Sequence, residues 1–275
     1  MVSPQACLAW HIPISKSLPT NDAHILIIIL FSTRVYKGTD PSKDSPATQV
    51  VYDPIFTTMY KKGLIPSALF SLAIERDISG PAGYLSFGGL PPVTISNSFT
   101  STPILITDIP SHHVPKAYIW YNIHIDNVLL HRDALPSSGG TEYQYIIASG
   151  TTNFVFPTDV ANAINSAYVP AAVFSDTLGL WIVPCDAHTP SLSIEINGVA
   201  FDINPLDMIL DTETTDANGK KVCSTSTVDG GTGSDNVYAL GDPFLKNVVA
   251  VFDVGAGMMR FASREHYVSN DPYKM

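Results

Sequence analysis

Short apolar runs, each closed by glycine, proline, serine or threonine, recur along most of this 275-residue chain. The sequence holds 21 Pro and 18 Gly, which interrupt helices and occupy turns, so the runs indicate short strands rather than long helices. Apolar residues make up 45% of the chain and are spread along it, which excludes disorder of the bulk. The length suits two domains or one large β domain.

Charge is sparse and mostly negative, with 15 Lys and Arg against 25 Asp and Glu and a formal net charge of −10. Non-specific binding to nucleic acid and docking on anionic lipid both require clustered positive charge, so we expect neither partner. The apolar run Ile25–Phe31 is too short to cross a bilayer, which takes about 20 residues. It also lacks the features of a clear signal peptide.

Local patterns predict the following elements. Strands are predicted at 69–74, 83–87, 118–125, 128–131, 143–148, 192–196, 199–203, 237–240, 248–252 and 258–261. Helical spacing of apolar residues predicts helices at 53–62 and after Pro157. Asn197-Gly198 is a hairpin signal, and Asp126-Asn127 is predicted as a tight turn joining 118–125 to 128–131. The polar segment 220–235 is predicted to be a surface loop.

The three cysteines, Cys7, Cys185 and Cys223, have no metal-ligand spacing and no C-x-x-C motif. They are either three reduced thiols or, in an oxidising compartment, one Cys185–Cys223 bridge with Cys7 left over. Spacing alone leaves both alternatives open.

Several segments occur together in a characteristic order. They are Gly63–Leu72 with Gly83–Gly89, Tyr145–Thr152 with Phe156–Thr158, Trp181–Cys185 with the Asn197-Gly198 hairpin and Cys223, Ala239–Leu245, and Val251–Asp253. Over residues 50–265 this order resembles the pepsin-like aspartic peptidase family in its fungal secreted form.

The resemblance implies an all-β acid-protease fold with a complete C-terminal lobe and a remnant of the N-terminal lobe. On this hypothesis, the chain divides into a leader (1–46) without assigned fold that is a candidate for disorder, the end of the N-terminal lobe with inter-lobe strands (47–98), the C-terminal lobe (99–268) and a tail (269–275). It also implies a Cys185–Cys223 disulfide, a secreted or vacuolar location and no cofactor.

The family's chemistry uses two aspartates, each from an Asp-Thr/Ser-Gly loop, and this sequence contains neither motif. At the second loop the position of the Asp holds Ala148, followed by Ser149, Gly150 and Thr151. The first loop and the substrate-covering flap would precede residue 50, where no resemblance is found. The sequence therefore predicts a degenerate, catalytically inactive site, in which Thr151 and Thr152 are the remaining candidates for contact with a ligand.

The leading hypothesis for function is a pseudopeptidase that binds a peptide or a protein. The alternatives are a truncated gene model of an active secreted endopeptidase, or a scaffold recruited to act on a small molecule through residues such as Thr151, Tyr145 or His124. Loss of most of one lobe would expose apolar surface and strand edges, which predicts either a homodimer that covers them or poor solubility.

Histidines offer a rival metal site. A hairpin at Asp126-Asn127 would place His124 and His131 diagonally on one face, and His112-His113 lie nearby in sequence. Zinc needs a third converging ligand, and no residue at a matching position supplies one. We therefore predict no metal.

Four further features are interpreted as structural. Ser149 lacks the Gly-x-Ser-x-Gly elbow of serine hydrolases. The Gly-rich run 230–233 lacks the following Lys-Ser/Thr or helix that a phosphate loop needs. Asp242 and Asp253 are expected to cap or brace turns.

Overall fold

The computed structural model describes residues 10–15, 35–37, 50–76, 81–95, 98–107, 117–233 and 236–264. This part is mostly strand with three short α-helices, which confirms the all-β class. None of the helices in these ranges has the length and apolar character that a membrane span requires. The apolar run Ile25–Phe31, the His112-His113 pair, Cys7 and the tail 269–275 lie outside the described residues.

The elements are numbered here in chain order. The strands are β1 (Trp10–Ser15), β2 (Val35–Lys37), β3 (Val50–Tyr52), β4 (Leu69–Ile74), β5 (Pro81–Phe87), β6 (Thr100–Pro103), β7 (Leu105–Thr107), β8 (Ala117–Ile123), β9 (Asn127–Leu130), β10 (Asp133–Ala134), β11 (Tyr145–Ile147), β12 (Phe154–Phe156), β13 (Val173–Ser175), β14 (Leu180–Val183), β15 (Leu192–Ile196), β16 (Val199–Asp202), β17 (Ile209–Thr215), β18 (Lys221–Thr225), β19 (Thr227–Asp229), β20 (Tyr238–Leu240), β21 (Val248–Asp253) and β22 (Met258–Ser263). The helices are α1 (Ile55–Lys61), α2 (Thr158–Ser166) and α3 (Asp242–Leu245), with a 3-10 turn at Pro205–Asp207.

A six-stranded antiparallel sheet joins distant parts of the chain in the order β1-β5-β4-β21-β22-β6. Its central strands are apolar and buried, as strands covered on both faces must be. The ring of Phe70 on β4 stacks on Phe252 of β21 with centroids 4.4 Å apart. Tyr121 of β8 packs edge-on against Phe252 at 4.8 Å, so this sheet shares a core with the next one.

A second six-stranded sheet, β19-β12-β20-β11-β8-β7, positions the candidate site. Within it β11 and β20 run parallel, and so do β12 and β19. Two four-stranded sheets, β10-β9-β15-β16 and β13-β14-β18-β17, flank it, and β2 pairs with β3. The Asn197-Gly198 hairpin between β15 and β16 is confirmed, since both residues have positive φ, 49° and 73°.

The chain bends at Asp126, but Asn127 already begins β9, and both the tight turn and the hairpin predicted at Asp126-Asn127 are wrong. β8 pairs with β7 and β11, whereas β9 pairs with β10 and β15. The Asp126 N–H donates to the carbonyl of Glu195 over 2.8 Å, so the chain leaves one sheet here and enters another. Turn residues have the same composition whichever strand follows, which is why the sequence pattern was misleading.

The surface loop predicted at 220–235 is also wrong for most of its length. Strands β18 and β19 occupy it, and the residues from Cys223 to Thr227 are buried. Their polar groups are internal: the Thr225 hydroxyl donates to Asn165 Oδ1 over 2.7 Å. A run of serine and threonine gives no apolar alternation, so periodicity could not detect these strands.

A buried ion pair ties the end of β4 to the 3-10 turn. Arg76 Nε lies 2.7 Å and 2.8 Å from the two carboxylate oxygens of Asp207, and the side chains are only 7% and 3% exposed. Asn247 Nδ2 donates to the same carboxylate over 2.8 Å. Because every oxygen of Asp207 is paired, the charge is compatible with burial.

Candidate functional site

The predicted loop, Ala148–Thr152, begins where β11 ends, beside the end of β20. Tyr145 lies opposite Tyr238 and Ile147 opposite Leu240 in the parallel pair. The Ala148 N–H donates to the carbonyl of Leu240 over 3.0 Å, which extends the ladder by one bond. Parallel strands end at the same edge of a sheet, so Ala148 and the residue after Leu240 leave it together.

That residue, Gly241, has no room for a side chain. A Cβ there would lie 2.3 Å from the carbonyl oxygens of both Thr151 and Asn153. The next amide, that of Asp242, donates to the Thr151 carbonyl over 2.9 Å. Thr151 N–H donates in turn to the Ala148 carbonyl over 3.3 Å and closes a four-residue turn. The path of the loop is therefore fixed from two sides.

Two buried tyrosines lie on the strands that end at the loop, Tyr145 on β11 and Tyr238 on β20. Tyr145 and Tyr238 are fully buried with ring centroids 5.8 Å apart. The Tyr145 hydroxyl donates to the Ser138 carbonyl over 2.7 Å, and the Tyr238 hydroxyl donates to that of Gly233 over 2.6 Å. Burial, reinforced by the neighbouring Tyr238 and Tyr143, raises the pKa of Tyr145, and burial also raises the pKa of Tyr238. Both phenols are neutral supports rather than proton acceptors.

The disulfide between Cys185 and Cys223 is confirmed, with an S–S distance of 2.06 Å. Cys223 lies on β18 opposite Val183 of β14, and Cys185 follows that strand. The bridge therefore closes the sheet β13-β14-β18-β17 at one end.

The family model for eukaryotic aspartyl protease matches residues 42–264, which is most of the chain. This chain belongs to that family. It is 46% identical over 215 residues to a probable aspartic-type endopeptidase of Aspergillus fumigatus, covering 78% of this chain and 48% of that protein. Pepsin A of the dog is 25% identical over 202 residues, covering 73% of this chain and 47% of the relative. The chain spans about half the length of these curated relatives.

The fold is likewise shared with the crystal structure of the aspartic proteinase from Irpex lacteus. The TM-score is 0.64 at 21% sequence identity, over 80% of this chain and 64% of that one. At this identity the likeness is one of fold, and it confirms the pepsin-like architecture expected from the motifs.

Within this pepsin-like fold the loop itself carries no acid. Ala148, Ser149, Gly150 and Thr151 are half-buried, and Thr152 is exposed. The structure thus places the five predicted residues in one loop that solvent reaches. That Thr151 and Thr152 contact a ligand stays a prediction.

The two aspartates interpreted as structural have structural positions. Asp253 Oδ1 accepts from the Ala256 N–H over 3.0 Å, and Oδ2 accepts from Arg260 Nη2 over 2.8 Å, so this carboxylate braces the β21–β22 turn. Asp242 is the first residue of α3, where a carboxylate faces the positive end of the helix.

The histidines do not form the pair that a hairpin would have produced. His124 Nδ1 lies 2.8 Å from the Tyr143 carbonyl and donates to it, while His131 sits in the turn after β9 with a φ of 52°. In the chain segments that the structure describes, no group of three His, Cys, Asp or Glu could hold a metal ion. The role suggested for Tyr145 in small-molecule chemistry conflicts with its buried, hydrogen-bonded hydroxyl.

Sequence reasoning missed two residues of the loop region. Gly241 is the residue directly after β20 that the backbone of the loop approaches closely. The only feature of the sequence that pointed to it was its place in the Ala239–Leu245 motif. Asn153 was not singled out, although its Oδ1 is buried without a partner while its Nδ2 donates to the Thr152 hydroxyl over 3.3 Å.

Proposed function

We propose that this chain is a non-hydrolytic member of the pepsin-like family that binds peptides or extended protein segments at the Ala148 loop. The observation that carries the proposal is a loop path held by Leu240 and Gly241 around a methyl group. In the family two carboxylates about 3 Å apart share a proton and activate water, because both cannot ionise together. A methyl group neither accepts a proton nor orients water.

The sequence supports the same proposal independently of the loop geometry. Neither Asp-Thr-Gly nor Asp-Ser-Gly occurs within the 275 residues. Binding, unlike hydrolysis, needs only the backbone and hydroxyl groups that Ser149–Thr152 retain. The Cys185–Cys223 bridge supports folding in an oxidising compartment, so we place the protein in the secretory route or the vacuole.

A second candidate is an active endopeptidase, and the 46% identity to a protein named a probable aspartic-type endopeptidase favours it. This chain corresponds to 48% of that relative, so in such an enzyme the first catalytic carboxylate would be supplied by protein outside these residues, and the alanine at position 148 would still need explanation.

One experiment separates the two candidates. The purified chain is incubated at acid pH with an acid-denatured protein, with and without a statine-containing peptide inhibitor, and products are identified by mass spectrometry. A working pepsin-like peptidase assayed in parallel is the positive control. We expect no cleavage by this chain and saturable binding of unfolded peptides in calorimetry. Cleavage that the statine peptide blocks would overturn the proposal in favour of the endopeptidase, and an absence of peptide binding would overturn its binding half.

We also propose that the chain forms a homodimer. Large apolar side chains are exposed on and after α1 and after β5, with Ile55 at 52%, Leu64 at 58% and Leu90 at 49%. The two segments adjoin, because a Cβ on Gly88 would lie 2.6 Å from Pro66. An apolar patch of this kind favours association. Sedimentation velocity should give a dimer that Leu64→Ser weakens, and a monomer at all concentrations would refute this.

A further inference from the structure

The turn that begins at Ala148 can be compared with two turns of the same hydrogen-bond pattern that begin with Asp or Asn. Thr151 N–H donates to the Ala148 carbonyl, Gly219 N–H to that of Asp216 over 2.9 Å, and Asp207 N–H to that of Asn204 over 2.9 Å. Each is a four-residue turn closed from the fourth residue to the first. The three turns differ in what the first residue carries.

In both of these turns the side chain of the first residue accepts a hydrogen bond from the backbone N–H two residues later. Asp216 Oδ1 accepts from the Asn218 N–H over 2.8 Å, and Asn204 Oδ1 accepts from the Leu206 N–H over 2.9 Å. This is the usual way in which Asp and Asn stabilise turns. Where Asp216 or Asn204 begins such a turn, the third amide is therefore paired with an oxygen from the first residue.

At Ala148 that oxygen is missing while the donor remains. The third residue is Gly150, and its N–H has no acceptor among the described residues. The N–H groups of Ser149 and Thr152 and the hydroxyls of Ser149 and Thr151 likewise lack acceptors in this part of the chain. The turn is half-buried and cannot relax, because Gly241 and Asp242 hold the Thr151 carbonyl from behind.

The counterpart at Asp216 shows which chemistry such donors favour. The amides of Lys220 and Asn218 donate to its carboxylate and lower the pKa of Asp216 below its usual value. Amides fixed by a turn thus stabilise the ionised carboxylate over the neutral acid. An unfilled set of the same donors is suited to an anionic oxygen that comes from outside the chain.

We propose that the Ala148 turn binds a carboxylate supplied by the ligand, an acidic side chain or the C-terminal carboxylate of an extended peptide. One oxygen takes the place that an Asp side chain at 148 would occupy and accepts the Gly150 N–H. This rests on the proposed function that the chain binds peptides, and it names the class of peptide. The small methyl group of Ala148 leaves room for this carboxylate, and the hydroxyls of Ser149 and Thr151 are available as further donors.

Asp242 acts against this binding. Its amide donates to the Thr151 carbonyl, which places a negative charge close to the turn. A free carboxylate such as acetate should therefore bind weakly, and an acidic peptide more tightly because its backbone adds contacts.

The test uses the ¹⁵N-labelled full chain and two-dimensional amide spectra. Acetate is titrated at constant ionic strength with chloride as the control. We expect saturable shifts of the Ser149, Gly150 and Thr151 amides with acetate and none with chloride. Shifts that are equal for the two salts, or absent with acetate, would overturn the proposal.

Three peptides of the same core sequence then identify the source of the carboxylate. One carries an internal Glu and an amidated end, one has Gln and a free C-terminal carboxylate, and one has Gln and an amidated end. We expect one of the first two to bind at least tenfold more tightly than the third. Equal affinity of all three would contradict the inference.

Substitutions at position 148 show whether acetate is displaced because an internal oxygen occupies the Gly150 amide or because a negative charge repels it. Ala148→Asp and Ala148→Asn each supply an internal oxygen to the Gly150 amide, whereas the matched control Ala148→Gly supplies none. We expect both oxygen-bearing variants to lose the acetate shifts and Ala148→Gly to keep them, with all three folded by circular dichroism. Retention by Ala148→Asn would overturn the proposal. Peptide cleavage would refute the proposed function, whereas the acetate result is independent of hydrolysis because acetate is not a substrate.

Discussion

The Ala148 loop and the disulfide-bonded sheet, β13-β14-β18-β17, belong to one chain and keep their shapes by different means. The loop is held by steric contact: Gly241 approaches two of its carbonyl oxygens, and the strands that lead to it carry fully buried tyrosines. The sheet exposes bulky apolar groups, with Val173 at 69% and Phe174 at 47%, and is closed by a covalent bond. Burial secures the first region, and the cross-link compensates for limited burial in the second.

The difference shows that the backbone path of the loop does not depend on which side chain occupies position 148. Every contact that shapes the loop involves backbone atoms or residues outside it, and none requires an acid at position 148. The frame can therefore persist with alanine there. The bridged sheet would have no comparable set of packing contacts to keep its shape if its disulfide were removed.

The largest effect is expected from Gly241→Ala. The new Cβ would overlap two backbone oxygens that cannot rotate away, so we expect a loss of about 4 kcal/mol or more in the free energy of unfolding. Urea denaturation measures it. The control is Gly219→Ala, where φ is +78° but no atom lies within 4 Å; it should cost about 1 kcal/mol. Equal losses of stability in the two variants would show that Gly241 is not tightly packed against the Thr151 and Asn153 carbonyls.

Removal of the cross-link by Cys185→Ser with Cys223→Ser should come next. The bridge spans a sequence separation of 38 residues, and its loss should cost about 2–4 kcal/mol. Hydrogen exchange should accelerate in β14 and β18 and remain slow in β11. If exchange in β11 accelerated as much, the loop and the bridged sheet would unfold as one cooperative unit and would not be stabilised independently.

Tyr145→Phe tests the buried hydrogen bond on the strand that leads to the loop. It leaves the buried Ser138 carbonyl without its donor at 2.7 Å, so we expect a loss of about 1–2 kcal/mol in stability. Tyr60→Phe, at an exposed ring, is the matched control and should change stability little. No difference between the two variants would mean that the hydroxyl contributes nothing to the frame.

The smallest effect concerns pH. The pKa of Asp216 is lowered in the folded chain, so its contribution to stability is complete above the unfolded pKa and is lost as pH falls through the folded value. Asp216→Asn keeps an acceptor oxygen but cannot titrate, so below about pH 4 it should lose less stability than the parent chain. Unfolding curves across this range measure the difference. Parallel curves would show that the turn amides do not favour the ionised form.

Much of the fold followed from the sequence. The strand 69–74, the helix after Pro157 and the Asn197-Gly198 hairpin have local causes, namely apolar periodicity and positive φ, and all three are present. The disulfide and the all-β class were implied by the family resemblance and are confirmed.

The rest depended on contacts between distant residues. Arg76 meets Asp207 across 131 positions, and no local pattern reports such a pair. The sequence predicted a change of direction at Asp126, but whether the chain folds back or enters another sheet depends on the contact with Glu195. At the site, the sequence showed that position 148 is alanine. That the Gly150 N–H lacks an acceptor emerged only from the structure, by comparison with the turn at Asp216.

The parallel pairing of β11 with β20 determines when the loop can exist. Its partners occupy positions 145 and 238, so β11 is synthesised long before the strand that fixes its edge. Contacts of such long range form slowly, and until then Tyr145–Ile147 is an apolar strand with an open side. A fragment ending at β19 would contain every residue of the Ala148 turn and yet lack the turn, because its shape is completed by β20, which is synthesised later.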